Sequence, residues 1–146
     1  MVVEYVQQWK LRGSESMLNS QMAAAYKNQQ IMTASPEQLT LLLYNGALRF
    51  LNESIQALES GDKEKSHNAN LRVQAIVHEL MGTLDMNYEI SQNWAALYEY
   101  IEHCLIEGNI QKDVQQLYNA KEILEDMRNT WQEAMKLAQQ AKVAGV

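Results

Sequence analysis

Residues 25–51 read AYKNQQIMTASPEQLTLLLYNGALRFL, and within them a helix start is written out in full. Ser35 is suited to accept an amide of the first turn as N-cap. Pro36 fits the first helical position, where its missing N–H costs nothing, and Gln38 can return a bond to the cap backbone. The helix that follows is apolar over most of its circumference. At about 100° per residue, Leu39, Leu42, Leu43, Gly46, Ala47 and Phe50 form one stripe. Leu41, Tyr44, Leu48, Leu51 and Ile55 form a second, roughly 150° away. Only Asn45, Arg49, Asn52, Glu53 and Gln56 keep a polar sector. A surface helix needs an apolar stripe of about 100°. The excess predicts one of two things: a helix central to its own fold, or a face that receives another polypeptide.

Four long helices are expected from the rest of the pattern. The first runs from about Pro36 to Ser60 and stops at Ser60-Gly61. Asp62 caps a second, whose apolar positions from Ala69 to Leu84 keep spacings of three and four. Residues 85–93 read as a connection. A third covers about Asn93 to Glu107, with Gly108-Asn109 as its stop. A fourth, about Lys112 to Ala141, carries a stripe from Leu117 through Trp131 to Ala138. Short connections force neighbours antiparallel, so the expected fold is all-α, an up-down four-helix bundle over 35–142. Residues 22–34 are expected as a short mobile N-terminal segment and 1–21 as an extension. The first 16 residues lack the order of a signal peptide, and translation is expected to begin at Met17 or Met22.

Composition narrows the function classes. A chain of 146 residues, 47% hydrophobic, is one domain able to bury a core. The net charge of −6, with scattered Lys and Arg, argues against nucleic acid. No run of about 18 apolar residues exists, so no membrane insertion is expected. Cys104 stands alone, which suits a reducing cytoplasm. Catalytic and metal patterns are weak. Glu64-Lys65-Ser66-His67 has the E-x-x-H spacing of di-iron bundles but occurs once, in a polar first turn, whereas such sites need two copies and two more glutamates. His103 and Cys104 point about 100° apart on a helix and cannot form a dyad. No phosphate loop or nucleophile elbow is present. The expectation is no enzyme, no cofactor and no metal.

Binding is the better prospect. A bundle exposes one side of every helix, so the spacing predicts that Leu41, Tyr44, Leu48, Leu51 and Ile55 are not all covered from within and line a groove for a partner helix. The eight methionines, able to repack around differing surfaces, are compatible with this. A bundle scaffold or regulatory adaptor that dimerises through the same stripe is the alternative.

One family matches these residues. An Ala-Tyr pair, a spacer, then T-A-S-P-x-x-L-x-x-x-L-Y-N-G-A-x-x-F over Thr33–Phe50, followed by Leu97-Tyr98-Glu99-Tyr100, Leu105, Asn109, Asp113 and the late Trp131, resembles the flagellar secretion chaperones of the FliS family. The resemblance spans about Met22 to Ala138. It implies a cytoplasmic chaperone that binds the disordered C-terminal segment of flagellin in apolar grooves. Such a chaperone prevents premature polymerisation and delivers its client to the flagellar export gate protein FlhA. It also implies an N-terminal segment, here Tyr26, Ile31 and Met32, that covers the groove when the client is absent and docks at the gate. Four positions depart from the family pattern: Ala23 for a frequent isoleucine, His103-Cys104 for a usual pair of arginines, and Gly108 for a usual alanine, which is expected to sharpen the helix stop.

Overall fold

The computed structural model describes residues 33–145, and among them every regular element is helical. Helix α1 is Pro36–Glu59, α2 Lys63–Gly82, α3 Glu89–Gln111 and α4 Val114–Val143. The extension 1–21, and with it the segment holding Tyr26, Ile31 and Met32, lies outside the described residues. Contacts run in sequence order around a ring, α1 with α2, α2 with α3, α3 with α4 and α4 back to α1, as an up-down bundle requires.

The helix ends follow local chemistry. The capping box forms as its letters predict: Gln38 N–H donates to Ser35 Oγ at 3.2 Å, and Ser35 N–H donates to Gln38 Oε1 at 2.9 Å. Gly61, at φ +86°, turns the chain after α1. Its N–H bonds Leu58 O at 3.2 Å and the next, of Asp62, bonds Ala57 O at 2.8 Å, a Schellman closure. Asp62 Oδ1 then accepts from Lys65 N–H at 3.1 Å and starts α2.

Three expected boundaries shift. Helix α2, expected to about Met86, ends at Gly82. Helix α3 begins at Glu89 rather than Asn93, and it does not stop at Gly108-Asn109 but runs to Gln111. Gly108 is a buried residue inside the helix. A Cβ there would lie 2.8 Å from Leu117 Cδ2 and 3.2 Å from the Asp113 carbonyl, so its role is close approach between α3 and the start of α4. The turn is made by Lys112 at φ +52°, with Asp113 N–H on Gly108 O at 3.0 Å. Asp113 caps α4 through Gln115 N–H at 3.0 Å.

The core joins both stripes of α1 to Val73, Ile76, Val77 and Leu80 of α2, Ile101 and Leu105 of α3, and Leu117, Ala120, Leu124 and Met127 of α4. The α4 stripe is buried only as far as Met127, with Trp131 half-covered; Ala134, Leu137 and Ala138 are exposed. Length explains this. At about 1.5 Å per residue α4 spans about 45 Å and α1 about 36 Å. Trp131 Nε1–H already bonds Glu37 O at the first turn of α1, at 3.0 Å, so the residues of α4 after it run past the start of that helix.

Candidate binding surfaces

The open groove expected on α1 is not there. Tyr44 and Leu51 are 0% exposed, Ile55 3% and Leu48 5%; only Leu41 is left half-buried. The reason is the seam with α4. Glu59, one turn beyond Ile55 on the same flank, accepts from Tyr118 of α4 at 3.2 Å, and Trp131 ties the other end of α4 to Glu37. The second stripe of α1 faces α4, the first faces α2, and the arc they bury together extends over roughly 200° of the wheel. Leu41 marks the outer edge of the α4 seam.

Apolar surface instead stands open elsewhere. Ile110 is 72% exposed, Tyr88 64%, Ile90 63% and Met86 53%, and Leu71 and Ile106 are also exposed. They occupy α2 (Leu71), the connection after it and the first turn of α3 (Met86, Tyr88, Ile90), and the outward side of α3 further along (Ile106, Ile110). The seam beneath Leu71 and Ile106 is polar. Asn70, fully buried, donates from Nδ2 to Leu105 O at 3.1 Å and accepts from Gln74 Nε2 at 2.7 Å. On the rim of the same seam, His78 pairs with Glu102 at 2.6 Å, and Asn109 Nδ2 meets His67 Nδ1 at 2.9 Å. These rungs fix the register of α2 on α3 and leave apolar side chains on the solvent side. The wheel already hinted at this. Ile106 and Ile110 fall well outside the Tyr98–Ile101–Leu105 stripe, a sign the sequence reading passed over.

A second feature lies at the end of the bundle where α1 and α3 start and α2 finishes. A pocket of about 660 Å³ is lined there by Leu39, Tyr44, Leu84, Tyr88, Trp94, Tyr98 and Trp131, with polar groups between them. Its floor is the pair Tyr44–Tyr98, whose hydroxyls hydrogen-bond across the bundle diagonal. Burial, and then the neighbouring Tyr98, drive the Tyr44 phenol well above the ordinary tyrosine range. Burial pushes Tyr98 up to about 12, the bond from Tyr44 working against it. Both stay neutral at any physiological pH and serve as hydrogen-bonding groups. Trp94 stacks edge-on against both Tyr98 and Trp131, each at 6.4 Å between centroids, closing an aromatic chain from α1 through α3 to α4.

Among the described residues His103 and Cys104 form no catalytic pair. Cys104 is buried while His103 is exposed. Among the described residues no three His, Cys, Asp or Glu side chains are grouped to hold a metal ion, and Glu64 and His67 are both exposed. No described helix is long and apolar enough to cross a membrane.

The model of the flagellar protein FliS family matches residues 17–138. The chain belongs to the FliS family. Similar family members are called flagellar secretion chaperone FliS. That of Bacillus subtilis (strain 168) is 36% identical over 112 residues, 77% of this chain and 84% of the relative. That of Salmonella typhimurium is 29% identical over 106 residues, 70% and 78% of the two chains. That of Escherichia coli K12 is 26% identical over 108 residues, 72% and 79%. The matched family span includes all three regions that carry the motif: the α1 start, the Leu97–Tyr100 block and Trp131.

Proposed function

We propose that this protein is a cytoplasmic export chaperone, not an enzyme, that holds the disordered C-terminal segment of flagellin and delivers it to the export gate protein FlhA. Membership in a family of flagellar secretion chaperones supports the class of function. The observation that carries the binding mode is the unpartnered apolar side of α2 and α3, with Ile106, Ile110 and Leu71 exposed above a polar seam. A client that folds on binding loses several kcal/mol to ordering, so it needs a broad apolar surface. Each fully buried anchor contributes about 1.5–3 kcal/mol. Anchors at helical spacing on α3, with Leu71 of α2 beside them, can supply that. Tyr44, Leu48, Leu51 and Ile55 then act from beneath, as the packing that holds the surface in shape.

Tyr26, Ile31 and Met32 complete the reading as a segment that covers the client surface at rest and meets the gate during delivery. A dimerising scaffold is the competing reading, favoured by the exposed Ala134, Leu137 and Ala138 of α4. Titration with a flagellin C-terminal peptide decides between them. The chaperone reading requires one-to-one binding by the monomer, weakened at least tenfold in Ile106→Asp/Ile110→Asp at unchanged helical content. A dimer that ignores the peptide would establish the scaffold instead.

A further inference from the structure

The bundle-end pocket carries charge of one sign on a mostly aromatic lining. Glu37 and Asp85 are its only charged lining residues, and neither has an ion-pair partner among the described residues. Its aromatic walls, Tyr44, Tyr88, Trp94, Tyr98 and Trp131, offer ring faces that attract cations. Several of its donors are already committed. Thr40 Oγ donates to Pro36 O at 3.2 Å, Thr83 Oγ to Leu80 O at 2.7 Å, and Trp131 Nε1 to Glu37 O at 3.0 Å. What the two threonines still present is lone pairs. Ser91 lines the same pocket at 7% exposure, and its hydroxyl has no hydrogen-bond partner among the described residues. Thr83, the C-cap of α2, also lines the pocket two residues before Asp85, which brings the negative end of that helix to it. The N-termini of α1 and α3 work against a cation, but α1 is closed by its capping box and each has a glutamate in its first turn.

We propose that this pocket takes the cationic end of an arginine or lysine side chain of the bound client. The inference rests on the chaperone reading and adds to it a charged anchor beside the apolar ones. A guanidinium has five donors, no acceptor and a planar face, matching acceptors at the rim and rings on the walls.

The test uses ethylguanidinium as probe and ethylurea as its neutral counterpart, at constant ionic strength, read by the indole N–H signals of Trp94 and Trp131. Ethylguanidinium should shift both signals saturably and ethylurea should not. Glu37→Gln/Asp85→Asn should weaken the probe about tenfold, and should weaken a flagellin C-terminal peptide as well. Equal shifts from the two probes, or an unchanged variant, would overturn the proposal. A gain in probe affinity on Lys27→Gln would assign the pocket to the protein's own N-terminal segment and overturn the client assignment. A peptide that binds wild type and variant alike defeats this inference alone; a peptide that fails to bind wild type defeats the chaperone reading and leaves the probe result standing.

Discussion

Helices α1 and α3 are both rich in apolar side chains, yet they use them in opposite ways. Helix α1 buries nearly all of its apolar residues, with Leu41, Leu42 and Leu58 half-buried. Helix α3 buries Tyr98, Ile101, Cys104 and Leu105 and leaves Ile90, Ile106 and Ile110 in solvent. The seams explain the contrast. Helix α1 meets two neighbours through apolar flanks, with Ser54 on Ser66 as a polar contact toward α2. Helix α3 meets α2 through amide and imidazole rungs that need no apolar cover. A greasy circumference therefore does not identify a binding helix. What matters is whether neighbours of sufficient length and matching chemistry lie alongside.

The largest expected effect breaks the comparison if it fails. Leu51→Asp puts a charge where exposure is 0% and should cost about 4 kcal/mol or more, enough to unfold the bundle, whereas Ile110→Asp should stay within about 0.5 kcal/mol. Urea denaturation of the two variants checks this, and equal losses would erase the distinction. Next comes the phenol pair. Tyr98→Phe strips Tyr44 of its bond and should cost about 1–3 kcal/mol, while Tyr44→Phe/Tyr98→Phe should cost less than the sum of the singles.

The same pair sets a pH dependence. Its folded-state values are raised, so its neutral form is favoured by folding. The associated stability is fully present below pH 10 and is lost as pH rises from 10 through about 12. Denaturation midpoints in wild type should fall across that window, and in the double phenylalanine variant should fall less. The smallest effect is at the α3–α4 turn. Lys112→Gly relieves a left-handed backbone at φ +52° and should raise stability by about 0.5–1 kcal/mol; a loss would show that the Lys112 bond to Asn109 at 3.1 Å outweighs the strain.

Local chemistry was legible in the sequence and cross-helix geometry was not. The capping box at Ser35, the turn at Gly61 and the cap at Asp62 depend on residues three or four apart, and all three form as read. Gly108 was misread as a stop because its reason is Leu117, a contact across a turn that no spacing rule contains. The second stripe of α1 was correctly seen as apolar and wrongly taken as open. A wheel gives direction but not the presence of α4 along that direction. The outward isoleucines of α3, Ile106 and Ile110, are legible on the wheel because they stand off the apolar stripe of their own helix. The bundle-end pocket draws on three helices and the α2–α3 connection, so no single stretch of sequence could announce it.

The most direct measurement follows isoleucine and leucine methyl signals while a flagellin C-terminal peptide is added. Large shifts are expected at Leu71, Ile106 and Ile110, with Leu48, Leu51 and Ile55 nearly still. Shifts centred on Leu48, Leu51 and Ile55, with α3 silent, would contradict a client surface on α2 and α3.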